Sequence, residues 1–210
     1  LEFRRVLFRS RGGAAIRLDE VLPRPAGQAL ALTVDGVRHD VELPVVGAFQ
    51  ADNLMAALAL AEATGAELAA LVDAVGRLEG PRGRMELVGR HPSGAAVFVD
   101  YAHTPDALAQ ALAGLRPHAE GRLHVVFGCG GDRDTGKRPE MGAIAARLAD
   151  RVVVTDDNPR SEDAAAIRAA ITAAAPDAIE IGDRAAAIAA ALDELAAGDV
   201  LLVAGKGHET

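Results

Sequence analysis

The sequence predicts an α/β protein in which a parallel-sheet domain follows a smaller segment of hairpin and helices. Three observations carry this. From Arg84 onward, short β-rich apolar runs alternate with amphipathic stretches of helical period, as a parallel sheet covered on both faces requires. The first third lacks that alternation. Half of the 210 residues are apolar, which is enough to bury a sizeable core.

The elements follow in order. Residues 1–10 (LEFRRVLFRS) are basic and abrupt, lack the apolar core of a signal peptide, and read as a cloning or assembly scar outside the fold. Val37, His39, Val41 and Leu43 alternate with Arg38, Asp40 and Glu42. The Asp35-Gly36 pair before them signals a hairpin, because glycine accepts positive φ. A helix is expected over 52–64, with Leu54, Leu58 and Ala61 on one face and Gly65 as its stop, and a second over 66–77. Gly80-Pro81, with Gly83 close behind, marks a domain boundary. Strands are then expected at 95–99, 123–127, 151–155, 178–181 and 200–204, with helices at 105–115, 139–149, 162–174 and 184–196. There is no repeat of fixed period. The chain stops inside a Gly205-Lys206-Gly207-His208-Glu209 motif, so both ends suggest a fragment.

Charge and cysteine content narrow the function. A net charge of −8 argues against nucleic acid or anionic lipid as partner. The local cluster of Arg133, Lys137 and Arg138 suits a small anionic ligand. Cys129 is the only cysteine, so no internal disulfide can form and a reducing, cytoplasmic setting is expected. No apolar run approaches the roughly 20 residues of a membrane span, so membrane insertion is not expected.

The chemistry sits at strand ends. Asp100 to His103, Gly128 to Arg133, Asp156 to Arg160 and Gly205 to Glu209 each follow a predicted strand. In an open parallel sheet those ends share one rim, where ligands bind. Residues 131–138 (GDRDTGKR) match a phosphate loop except that Arg138 stands where a Mg²⁺-binding hydroxyl is required, so that reading fails. What remains is a loop that presents Arg133 and enters a helix at Pro139. Asp157-Asn158-Pro159-Arg160 is a stiff turn offering a carboxylate, an amide and a guanidinium, a set that suits a zwitterion. The plain alternative is an Asx-type turn with a surface arginine. His103 and His208 lack partners at metal-ligand spacing, and Cys129 reads as a small buried residue.

These clusters, in this order, resemble the Mur ligases, and within them the type that uses meso-diaminopimelate. The matching stretches are GAFQADNLMAALALAEATG (47–65), GRMELV (83–88), VDYAHTPDAL (99–108), VFGCGGDRDTGKRPEMGAIA (126–145), TDDNPRSED (155–163) and GKGHE (205–209). The resemblance implies that residues 11–81 are the end of a central ATPase domain. It implies that residues 82–210 are a truncated C-terminal Rossmann-like domain that brings the incoming amino acid. The P-loop, the uridine-binding domain and the lysine that family members modify to help hold Mg²⁺ are absent from the chain.

By motif, Asn53, Arg84, Asp100 and His103 would contact ATP. Arg133, Asp157, Asn158, Pro159, Arg160, Gly205 and Glu209 would contact meso-diaminopimelate. Gln50 stands where many members carry Asn. The implied cofactors are ATP and Mg²⁺, and the implied partners are meso-diaminopimelate and UDP-N-acetylmuramoyl-L-alanyl-D-glutamate. The implied reaction joins these two through an acyl phosphate in peptidoglycan synthesis, with the present chain inactive alone. Two alternatives stand beside it: a superfamily ligase for another amino acid, and a non-catalytic α/β ligand-binding module.

Overall fold

The computed structural model describes residues 7–9 and 15–207. The chain forms two compact units that divide at the Gly80–Pro81 peptide, each with its own sheet.

The first unit is an antiparallel sheet in the order β1 (Leu7–Arg9), β2 (Ala15–Arg24), β3 (Gly27–Val34), β4 (Val37–Leu43). Asp35 (φ 49°) and Gly36 (φ 80°) turn β3 into β4, with the paired positive φ values that a tight two-residue hairpin needs. Helices α1 (Ala48–Ala63) and α2 (Leu68–Ala74) complete the core, which contains Ile16, Leu32, Leu43, Met55 and Val72. Ala51, Leu54, Met55 and Leu58 of α1 point inward at i, i+3, i+4 and i+7. This helix starts a turn earlier than expected. Gly47 (φ 97°) turns the chain, and the buried Gln28 side chain donates to the carbonyls of Val45 and Gly47 at 3.0 and 2.9 Å. That anchor comes from β3 and has no local signal. Helix α2 is shorter than expected, its last turn tightening to 3₁₀ at Val75–Arg77.

Strand β1 adds one pairing that the sequence does not signal. It lies in the segment set aside as a scar, yet its backbone pairs antiparallel with β2, Leu7 opposite Arg17 and Arg9 opposite Ala15. An open strand edge offers unpaired N–H and C=O groups to any extended neighbour. The rest of 1–10 lies outside the described residues.

The second unit is a six-stranded sheet. Its strands are β5 (Glu86–Arg90), β6 (Ala96–Asp100), β7 (Leu123–Phe127), β8 (Arg151–Val154), β9 (Ile179–Glu180) and β10 (Val200–Ala204). The spatial order is β5-β6-β10-β7-β8-β9. All neighbours are parallel except the edge pair β5–β6. Sequence reading missed β5, four of whose five residues are exposed and carry no apolar alternation.

Helices α3 (Pro105–Leu115), α4 (Lys137–Leu148) and α5 (Ala164–Thr172) pack side by side. Helix α6 (Arg184–Asp193) instead supplies Ala187 and Ala191 to a core with Val126, Val153, Leu201 and Val203. Handedness explains this. The first three crossovers advance across the sheet, whereas the crossover to β10 runs back to the slot between β6 and β7. A right-handed return must therefore place its helix on the other face. Asp163 and Asp183 cap α5 and α6, accepting from the amides of Ala165 (3.0 Å) and Ala186 (2.7 Å), which sets both starts.

At the amino ends of the strands, the buried Asp199 carboxylate accepts from the amides of Arg122 (2.7 Å) and Ala196 (3.0 Å), from Arg122 Nη2 (3.2 Å), and pairs with His124 Nε2 (3.1 Å). Burial depresses the His124 pKa more than the Asp199 carboxylate raises it. Burial also raises the pKa of Asp199, but its amide, His124 and Arg122 partners outweigh this and hold it below the usual carboxylate range.

Candidate functional site

Register brings the polar clusters together. Asp100 lies opposite Ala204, Val203 opposite Val126, and Phe127 opposite Val154. The four strands therefore end at one level, and the next residues of each form a common rim. A cleft of about 650 Å³ opens there, lined by Tyr101, His103, Arg133, Lys137, Asp157, Asn158, Arg160 and Gly205 among others.

The glycine loop after β7 and the turn after β8 form one clasped unit. The Gly131 amide donates to the Asn158 carbonyl at 2.9 Å, and Arg160 Nη1 donates back to the Gly131 carbonyl at 2.7 Å. A Cβ on Gly131 would lie 1.9 Å from the Pro159 carbonyl oxygen, and one on Gly128 2.2 Å from that of Thr155. These glycines are filled by the neighbouring turn and do not cradle phosphate. Asp132 and Arg160 both sit at positive φ (51° and 52°), and the Asp132 carboxylate accepts from Ser161 Oγ at 2.6 Å and from the Ser161 amide at 3.2 Å. Those two bonds from Ser161 hold the Asp132 pKa below the carboxylate range.

The adjacent aspartates have different roles. Asp156 pairs with Arg168, which also binds Glu180 at 2.8 Å, and so belongs to the scaffold. Asp157 faces the cleft. It accepts from the Asn158 amide at 2.9 Å and lies 3.8 Å from Lys206 Nζ, which also reaches Asn158 Oδ1 at 3.2 Å. Arg160 spends Nη1 on backbone carbonyls, leaving Nε and Nη2 without a hydrogen-bond partner among the described residues. Arg133 is exposed in the cleft and makes no hydrogen bond or ion pair among the described residues.

Not all of the other expected residues line the cleft. Arg138, counted with the basic cluster, is 5% exposed and pairs with Glu162 at 2.8 Å, so it cannot meet a ligand in the cleft. Asp100 is buried, and its carboxylate accepts from the amides of Met85 (2.8 Å) and Ala102 (2.7 Å), which shapes the loop that carries Tyr101 and His103. His103 reaches the cleft with Nδ1 2.9 Å from the Tyr101 carbonyl, while Arg84 lies over the Tyr101 ring at 5.0 Å. Pro159 stiffens the turn and does not line the cleft. Asn53 lies in the first unit on the exposed side of α1, donating to Gln50 at 3.1 Å. Glu209 and His208 lie outside the described residues. Cys129 is 2% exposed, and burial pushes its thiol up to about 11, which leaves it unreactive near neutrality. Glu162, inside the 155–163 stretch but given no role there, and Arg168, outside the motifs, were not singled out, since their roles depend on partners up to 30 residues away.

A family profile described as Mur ligase, glutamate ligase domain, matches residues 83–207, which contain the whole cleft. The chain belongs to the Mur ligase family. Among its relatives in that family is a UDP-N-acetylmuramoyl-L-alanyl-D-glutamate–2,6-diaminopimelate ligase of Caulobacter vibrioides, 57% identical over 197 residues, which cover 94% of this chain and 40% of the relative. The enzyme of the same name from Bradyrhizobium diazoefficiens is 57% identical over 198 residues, 94% of this chain and 41% of its own length. A solved structure of a ligase of that name superposes with a TM-score of 0.74 at 43% identity, covering 91% of this chain and 40% of that one. A Mycobacterium tuberculosis folylpolyglutamate synthase complexed with ADP shares the fold, with a TM-score of 0.68 at 24% identity over 91% of this chain and 45% of its own. This Mur ligase chain therefore spans about two-fifths of the length of the curated relatives it matches.

Proposed function

We propose that this chain supplies the amino-acid site of an ATP-dependent ligase that joins meso-diaminopimelate to UDP-N-acetylmuramoyl-L-alanyl-D-glutamate in peptidoglycan synthesis. The observation that carries this is the single cleft in which Arg133, Arg160, Asp157 and Asn158 converge. Meso-diaminopimelate has two carboxylates and two ammonium groups. The free fork of Arg160 and the unengaged Arg133 suit carboxylates, while Asp157 and, beyond the described residues, Glu209 suit an ammonium. Gly205, at φ 102°, lets the chain turn beside Asp157 without a side chain in the way. The chain's share of the reaction is orientation: it holds the attacking amine at the activated carboxyl, where an amide forms and phosphate leaves.

For the nucleotide, Arg84, His103 and Asn53 are the proposed contacts, and Asp100 acts through the backbone that it holds. The triphosphate and Mg²⁺ do not fit the residues described here. The glycine loop is filled, and no group of three or more His, Cys, Asp or Glu among the described residues could hold a metal ion. In this reading, residues 11–81 close a central ATPase domain, residues 82–210 form the amino-acid domain, and the enzyme works in the cytoplasm. No described helix is long and apolar enough to cross a membrane.

The test uses a complete ligase carrying this sequence. Phosphate release from ATP should require both the UDP-linked dipeptide and meso-diaminopimelate, with the amide product identified by mass. Equal turnover with L-lysine would remove the amino-acid assignment, and no amino-acid-dependent turnover would remove the ligase reading.

A further inference from the structure

The Glu162 side chain does not line the cleft, yet it joins both of the loops that do. One carboxylate oxygen, Oε1, accepts from the Asp132 amide at 2.5 Å and from Arg138 Nη2 at 2.8 Å. The Glu162 amide donates to the Pro159 carbonyl at 3.0 Å, so the same residue also closes the turn that carries Arg160. Asp132 stands next to Arg133 and is held at positive φ, a conformation that costs an ordinary residue free energy unless its surroundings enforce it. Its amide bond to Glu162 and its carboxylate bonds to Ser161 are the contacts that enforce it. Arg138 is buried, and among the described residues its Nη2 makes its only side-chain hydrogen bond, to Glu162, while Nε has no partner. The buried cation therefore pins the carboxylate in place. Loss of the pair would leave a charge stranded in the base of the loop.

We infer that Glu162 is the positioning residue of the amino-acid site, fixing the glycine loop against the Asp157–Arg160 turn so that Arg133 and Arg160 face the ligand at one set spacing. This rests on the proposed function. A ligand with two carboxylates engages two guanidinium groups only if their separation matches, so a loosened clasp weakens binding of meso-diaminopimelate while the ATP and UDP-dipeptide sites stay as they are.

The experiment is steady-state kinetics of the complete ligase and its Glu162→Ala, Glu162→Gln and Ser161→Ala variants, with folding checked by thermal melts. Glu162→Ala should raise the KM for meso-diaminopimelate about tenfold or more, with the KM for ATP and for the UDP-dipeptide within about twofold. Glu162→Gln keeps an acceptor oxygen for both donors but removes the counter-charge of Arg138, so it should recover part of that loss; a rise confined to the KM for meso-diaminopimelate is the result that a bulk packing role would not predict. If Glu162→Ala fails to fold, Ser161→Ala carries the test. It strands no charge and should raise the same KM about threefold. A KM for meso-diaminopimelate within about twofold of wild type in the folded variants, or equal rises in all three KM values, overturns the inference. Wild-type enzyme without meso-diaminopimelate-dependent turnover would instead overturn the proposed function.

Discussion

Replacing Arg160 should separate two roles that one side chain combines. Its Nη1 bond to the Gly131 carbonyl holds the clasp, while the side chain lines the cleft with Nε and Nη2 unpartnered among the described residues. The backbone adds a third effect: at φ 52°, Arg160 sits where side chains are strained by roughly 1–2 kcal/mol. Arg160→Ala keeps that strain and loses the clasp bond, which at this exposed position contributes about 1 kcal/mol. Arg160→Gly loses the same bond but releases the strain, so its stability should lie close to wild type. Both should lose a charge-assisted carboxylate contact of about 1.5–3 kcal/mol, raising the KM for meso-diaminopimelate roughly ten- to more than a hundredfold. Arg160→Lys should recover part of this, since an ammonium lacks the planar fork and cannot serve the Gly131 carbonyl and the ligand together. L-Lysine lacks the distal carboxylate and should lose little, so selectivity should shrink. The assays are urea unfolding and steady-state kinetics with ATP, meso-diaminopimelate and lysine varied in turn. If Arg160→Gly binds meso-diaminopimelate as wild type does, or if the KM for ATP rises in parallel, Arg160 serves the loop alone.

Two further outcomes follow from the packing. Gly131→Ala drives a methyl group to 1.9 Å from the Pro159 carbonyl oxygen and should destabilise the second unit by about 2 kcal/mol or more, read from the urea midpoint; a loss under about 0.5 kcal/mol would mean that the clasp is loose. Folding holds the pKa of His124 and of Asp199 below their unfolded values, so each stabilises the fold above its unfolded pKa and loses that contribution as pH falls through its folded one. Stability should therefore decline in two stages, below about pH 6.5 and again below about pH 4. Asp199→Asn should cost about 2–3 kcal/mol at pH 7 and flatten the second stage; an unchanged acid limb would remove Asp199 as its source.

Local chemistry made much of the fold legible. The parallel strands of the second unit other than the two-residue β9 are short runs rich in apolar residues, the helices between them are amphipathic, and each polar cluster follows a strand end, because these patterns depend on neighbours within a few residues. The Asp35-Gly36 turn follows from backbone sterics alone. So did the failure of the glycine loop as a phosphate loop, through Arg138.

Long-range pairing decided the rest. The last strand, β10, slots between β6 and β7, which brings Gly205 to the cleft. Arg138 lost its place among the ligand cations to Glu162, 24 residues away. Asp100 turned inward to the Met85 amide, 15 residues back, and Asp156 was taken by Arg168 while its neighbour Asp157 faced the cleft. A sequence specifies which charged groups are available to a rim. Which of them remain available to a ligand depends on the partners that the fold delivers, since a buried charge must be paired and a charge so paired is withdrawn from the rim.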